Sequence, residues 1–364
     1  MKPIYTFLLI CFSLIIAQAA TAQRSKKDSA ELVYGRALIK QEAGKPDEAI
    51  SFIKQAQRLD PKNIAYDYEL AFIYHSKKDY SKTVELLEKL TSRSDANGKI
   101  YQLLGNTYDE MNKPDKALAA YQAGLARLPN SGELYYEQGI MSLKKKDYST
   151  ALNFFEKGIE MDPNYPTNYY RAAKLFLSSA EKIWGMLYGE LYIIQDPFTE
   201  RSKEMSKLLY ETYVRQIAIA PMGQVKVFFA NRVIPDSLAM NDSLAKKTQF
   251  AKTVYEALLV QGLKKETVVD PLSLSRVRKS FIENYYKTDA WKQFPNALFD
   301  YQYKLLKAGK LDIYNYWLLQ LYNPTEFARW QEVNQTEYRD MVKWMVDHPI
   351  NLDHKYKFYR EQYR

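Results

Sequence analysis

One period dominates the first half of the chain: thirty-four residues, repeated five times from Ala30, Ile64, Gly98, Gly132 and Pro166. The eighth residue of every block is small, namely Ala37, Ala71, Gly105, Gly139 and Ala173. The twentieth runs Ala49, Thr83, Ala117, Ala151, Gly185, and the twenty-fourth runs Ile53, Leu87, Tyr121, Phe155, with Gly189 breaking the large-apolar rule. Proline closes four of the blocks at position thirty-two (Pro61, Pro129, Pro163, Pro197), and Asp95 stands there in the second. Small, large and proline positions held in phase call for two helices per unit, packed so closely that only a hydrogen or a methyl group fits between them.

The punctuation places those helices. Gly44 stops a first helix running from about Ser29 to Ala43, and Pro46-Asp47-Glu48 opens the second, with proline where its missing N–H costs nothing. Pro114-Asp115-Lys116 repeats the signal in block three, and the prolines after Leu128 and Asp162 end second helices. The second helix of block five, Ile183 to Tyr192, is apolar almost all round and must be buried on more than one side, which makes it the junction with the rest of the chain.

This register closely resembles the tetratricopeptide repeat family. The resemblance implies an all-α fold: a right-handed superhelix of about five helix pairs over residues 23–199, followed by a helical C-terminal region over 200–364. After Thr199 the period is lost. Helices are expected at about 200–219, 243–262, 272–286, 296–308, 313–321, 325–333 and 336–347. The run from Gln224 to Ile234, rich in β-branched and aromatic residues, is a short strand or extended segment.

In that family the first helices line the concave face, with positions five and nine pointing inward. Position five carries Tyr34, Tyr68, Gln102, Tyr136 and Tyr170, and position nine carries Leu38, Phe72, Asn106, Ile140 and Lys174. A tyrosine offers a flat apolar face and a polar tip with few rotors to freeze, which suits a groove that holds an extended peptide, with Asn106 able to bond its backbone. The competing expectation is that these rings simply pack against the neighbouring first helix. Some family members clamp a terminal carboxylate with lysine, asparagine and arginine. Here Asn106 and Arg171 survive from that set while Tyr34 and Leu38 replace the rest, so such a clamp is disfavoured.

The N-terminus reads separately. Lys2 precedes an apolar run from Ile4 to Ala17, and Ala20-Thr21-Ala22 supplies a small-x-small cleavage pattern, so residues 1–22 are expected to be a secretory signal peptide. Cys11, the single cysteine, lies inside the apolar run after Ile10, which argues against a lipid anchor. Cleavage at Ala22 would leave no cysteine and exclude thiol chemistry. The segments Lys182 to Gln195, Phe294 to Tyr301 and Tyr314 to Leu318 resemble parts of repeat-containing envelope proteins of Bacteroidetes-type bacteria. That resemblance implies an exported protein, periplasmic or secreted, without an activity to transfer.

The net charge of +9 is dispersed in short lysine runs, two of them (Lys77-Lys78 and Lys144-Lys145-Lys146) at inter-helix turns. No nucleic-acid track is expected from it, only weak attraction to anionic envelope surfaces. No integral membrane span, metal site, cofactor site or catalytic motif is expected. His348 and His354 flank Pro349, and His75 stands alone. The expected function is a non-catalytic scaffold of the cell envelope for a protein or peptide partner. The alternative is a glycan-binding or glycan-processing protein whose site is built from Trp291, Phe294, Phe299, Tyr301, Tyr303, Tyr314, Tyr316 and Trp317, residues that at helical spacing also suit a core.

Overall fold

The computed structural model describes residues 25–220, 224–230, 242–353 and 355–363. The leader with Cys11, the Pro221 and Gly223 breakers, the end of the extended segment and His354 lie outside the described residues. The fold is all-α, and its contacts divide it into two compact units, residues 1–129 and 130–364.

The first unit holds three helix pairs. They are α1 (25–42) and α2 (Pro46–Leu59), α3 (Ile64–Ser76) and α4 (Tyr80–Thr91), and α5 (Gly98–Glu110) and α6 (Pro114–Arg127). From α2 to α6 each start satisfies one orphan N–H or dispenses with one: the Asn63 side chain accepts from Ala65 N, Asn97 from Ile100 N and Asp79 from Lys82 N, while Pro46 and Pro114 sit in the first turn. The turn inside each pair needs a left-handed residue at position fifteen. Gly44 (φ 70°), Lys78 (60°) and Asn112 (58°) fill it here, and Lys146 (59°) does so in the fourth repeat. Arg93 and Arg127, both at position thirty, reach back to carbonyls of the preceding repeat, Lys62 O at 2.6 Å and Arg93 O at 2.9 Å.

The second unit begins with α7 (Gly132–Lys144), α8 (Tyr148–Met161), α9 (Pro166–Leu177) and α10 (Lys182–Gln195), repeats four and five. Every residue of α10 from Ile183 to Ile194 is buried, so this helix without a polar face is the centre of the unit. Around it lie α11 (Glu200–Gln216), α12 (Asp242–Gln249), a π-helical stretch (Phe250–Glu256), α13 (Ala257–Leu263), α14 (Pro271–Lys287), the short α15 (Ala290–Gln293), α16 (Ala297–Lys307), α17 (Leu311–Gln320), α18 (Pro324–Val333) and α19 (Gln335–Asp347). The expected helix over 200–219 stops three residues early. Ile217–Ile219 instead forms β1 and pairs antiparallel with β2, Val225–Val227, because a hydrogen-bonding partner is in reach there. The repeat register ends at 199 but the packing does not divide there: Arg360 near the C-terminus donates to the buried Glu156 of α8 at 2.7 Å, and its N–H donates to the Tyr188 hydroxyl of α10 at 2.7 Å.

Within the repeats, positions eight and twenty-four are matched in size. Ala37 goes with Ile53 and Ala71 with Leu87, all fully buried. Where position twenty-four is aromatic, position eight is glycine. A Cβ on Gly105 would lie 2.5 Å from Tyr121 Cζ, and one on Gly139 would lie 2.7 Å from Phe155 Cζ. The ring takes the volume of the missing methyl group.

Candidate functional site

Positions twenty and twenty-four are completely buried in the first three repeats, apart from traces at Tyr121, and so are Ala37 and Ala71 at position eight. The space between the helices of a pair is therefore filled chiefly by positions eight, twenty and twenty-four, with Tyr34 packed at the edge of that core and Asn106 bonded to Tyr121. Those side chains are left at the surface of the first helices. In the first unit Tyr34, Leu38, Tyr68, Gln102 and Asn106 are half-buried, and Phe72 is 38% exposed. Tyr34 does two jobs: its ring meets Tyr66 of the next repeat at 5.3 Å, and its hydroxyl bonds Glu69. Burial raises the pKa of Tyr34, with Glu69 adding to it, and burial raises those of Tyr68 and Glu69. The Tyr121 hydroxyl donates to Asn106 Oδ1 at 2.5 Å. The pair of bonds expected of Asn106 toward a peptide is thus reduced: its amide N–H groups remain to donate, and its oxygen is already engaged.

In the second unit Tyr136 and Ile140 are half-buried, while Tyr170 is buried. The Tyr136 ring lies 6.1 Å from Phe155 and 6.2 Å from Tyr165, and Arg171 lies over its face at 5.8 Å. Repeat five is occupied from within the unit. Glu204 of α11 accepts from Lys174 at 2.7 Å and from the Tyr170 hydroxyl. Burial works to raise the pKa of Glu204, but the hydrogen bonds from Lys174 and Tyr170 outweigh it and leave that pKa lowered. The Glu204 carboxylate cannot be read from the repeat pattern, since it belongs to the region where the period is lost.

Two family models, both described as tetratricopeptide repeat, match residues 11–138 and 132–165. The chain carries tetratricopeptide repeats. Among curated proteins it is similar to the general transcriptional corepressor trfA of Dictyostelium discoideum, 30% identical over 124 residues, which is 34% of this chain and 9% of that protein. It is also similar to tetratricopeptide repeat protein 21B of Homo sapiens, 27% identical over 148 residues, 38% of this chain and 11% of that one. The chain thus spans about a tenth of the length of these relatives. Among solved structures it is similar to Pseudomonas aeruginosa pilF, with a TM-score of 0.41 at 17% identity, covering 51% of this chain and 85% of that one. A thermophilic tetratricopeptide repeat protein of Thermus thermophilus gives 0.40 at 14% identity, covering 50% and 98%.

The aromatic cluster of the C-terminal region has a different fate from the tetratricopeptide positions. Phe294, Phe299, Tyr301, Tyr314 and Trp317 are buried in the core of the second unit. Trp291 stays exposed, and with Tyr286 and Tyr303 it forms a stack, Tyr286 lying 6.1 Å from Trp291 and 3.9 Å from Tyr303. The core reading holds for the five buried rings, so they offer no open stacking platform for a sugar.

The buried charges of this unit are structural in their geometry. Glu190, the one acid of α10, accepts on Oε1 from Arg278 at 2.6 Å, Gln302 at 2.5 Å and Tyr314 at 2.7 Å. Arg278 also donates to Asn315 Oδ1 and the Tyr213 hydroxyl, so each charge of the pair is met by the other and by further hydrogen bonds. The cavity beside it holds about 20 Å³, too little for a substrate. His75 stands 3.6 Å from Glu110, and His348 stacks on Trp344 at 4.6 Å. Among the described residues no group of three or more His, Cys, Asp or Glu is placed to hold a metal ion, and no helix is long and apolar enough to cross a membrane.

Proposed function

We propose that the chain is a non-catalytic scaffold that holds a protein or peptide partner on the first helices of its tetratricopeptide repeats. One observation carries the reading. In the first unit Tyr34, Leu38, Tyr68, Phe72, Gln102 and Asn106 stay partly open while the positions that join the helices of each pair are already buried. Rigid, partly open aromatic side chains at regular spacing supply contact area at low entropic cost. The leader (Lys2, Ile4 to Ala17, then Ala20-Thr21-Ala22) supports export and a place in the cell envelope, with the mature chain starting near Gln23.

Site-specific photo-cross-linking on the full chain tests the binding face. A photoreactive phenylalanine at Phe72 should capture a protein from envelope extract, while the same group at the exposed Ile39, off the groove positions, should not. For the captured partner, the double change Tyr68→Ala and Phe72→Ala, both in the first unit, should weaken binding by roughly a hundredfold or more, at about 2 kcal/mol per aromatic anchor, with helix content unchanged. Equal labelling at both positions, or unchanged affinity, refutes the reading. N-terminal sequencing of the native protein tests the leader, and a start at Met1 refutes export by this route.

A further inference from the structure

The second unit contains a cavity of about 350 Å³ where the last repeat meets the C-terminal helices. Its walls come from the end of α10 and the loop after it (Ile194, Pro197, Phe198) and from α19 (Val342, Met345, Val346). Tyr301 of α16 and Trp317 of α17 complete the lining. None of the lining side chains is charged. The α19 side covers it lightly, since Met341 is the one buried residue of that helix. Phe198, 63% exposed, and Val346, 72% exposed, stand at its rim.

The lining holds two amides, Asn164 and Gln195, whose N–H groups already donate to Leu352 O and Leu191 O, and two further polar groups that have no partner. The Tyr301 hydroxyl and the Trp317 indole N–H are both buried and neither makes a hydrogen bond, although the two residues are only 2% and 1% exposed. A buried donor left unpaired costs free energy, and an acceptor that reached both would recover it. Both can donate to an oxygen acceptor. With no cation in the lining, a carboxylate entering here would lose its hydration without a counter-charge, so the acceptor that fits is a neutral carbonyl. By the same measure one water needs about 10–15 Å³, so the cavity has room for a small organic molecule.

We propose that this cavity binds a small neutral acyl compound, an aliphatic chain ending in an amide or ester carbonyl, with the chain against Ile194, Val342 and Met345 and the carbonyl taken by Tyr301 and Trp317. The two donors are closed off from solvent, so entry displaces a lining side chain. Met345, unbranched and with three rotatable bonds, moves at least cost.

Octanamide is the probe, titrated calorimetrically into the full chain, with octanoate and octylammonium as chain-matched comparisons. Octanamide should bind at least tenfold more tightly than either. Tyr301→Phe keeps its ring and removes one donor, while Trp317→Phe removes the other donor together with the five-membered half of the indole. Each should weaken octanamide about fivefold to tenfold, and Tyr301→Phe should leave the melting temperature of the free protein equal or higher, because an unpaired buried donor has gone. Opposite signs for affinity and stability are not expected of groups that serve packing alone. Val346→Glu at the exposed rim leaves folding intact and should abolish binding, which keeps the test decisive if a ring substitution fails to fold. Absence of octanamide binding, preference for octanoate or octylammonium, or unchanged affinity in both ring variants overturns the proposal.

Discussion

Adding a single methyl group at Gly139 should destabilise the second unit, and the size of the loss follows from one ring. The Cβ of an alanine there would lie 2.7 Å from Cζ and 2.8 Å from Cδ1 of Phe155, and closer still to Cε1. Carbon atoms in contact sit about 3.5–4.0 Å apart, so the ring must retreat by about an ångström. Phe155 is fully buried, and its neighbour Tyr136 is already in ring contact. Overpacking of this kind costs about 1–3 kcal/mol. Against it stands the better helix propensity of alanine over glycine, up to about 1 kcal/mol, which leaves a net loss of about 1–2 kcal/mol by the same principles. The decisive variant is the double change Gly139→Ala with Phe155→Leu, which installs in repeat four the alanine and leucine that repeat two carries at Ala71 and Leu87. Phe155→Leu alone opens a gap and should cost about 1–2 kcal/mol. The double variant should lose at least about 1 kcal/mol less than the sum of the two singles. Urea unfolding followed by tryptophan fluorescence reads the correct part of the molecule, since Trp184, Trp291, Trp317, Trp330 and Trp344 all belong to residues 130–364. A stable Gly139→Ala variant, or an additive cycle, would refute the size-matching argument.

Three further outcomes are expected. Ala151→Phe should cost well over about 1–3 kcal/mol, because position twenty lies fully buried between the two helices of the pair; Lys145→Phe, in an exposed turn, should stay within about 0.5 kcal/mol of the parent in a thermal melt. Lys146→Gly should stabilise by up to about 1 kcal/mol, since the left-handed φ of 59° strains a side chain by about 1–2 kcal/mol and glycine's extra chain entropy returns part of that gain; a loss in the denaturation midpoint would contradict it. Arg278→Met should cost about 3–5 kcal/mol by leaving the Glu190 carboxylate buried without its counter-charge. Adding Glu190→Leu should then recover most of that loss, as a denaturant titration of both variants would show.

The tetratricopeptide architecture was legible because its determinants are close in sequence and periodic. Ala71 and Leu87, or Gly139 and Phe155, lie sixteen residues apart inside one thirty-four-residue unit, and the prolines and the position-fifteen turn act on their own backbone. Short-range constraints of this kind repeat, and repetition makes them visible. The same holds for the fully buried α10, since a helix without a polar face has only one physical solution.

What the tertiary structure alone decided involves partners without a period. Glu190 and Arg278 meet across 88 residues, and Glu204 reaches Lys174 from a helix outside the repeats. Ile217–Ile219 left its helix because β2 stood ready to pair, and the rings of the C-terminal cluster divided into core and surface according to which helices covered them. The Tyr301–Trp317 cavity draws its walls from residues 164 to 350. Hydrophobic and charged side chains state what they need, water excluded or a charge neutralised, but not which distant group supplies it. In the repeats the supplier is the next helix; in the C-terminal region it is chosen only when the whole unit has packed.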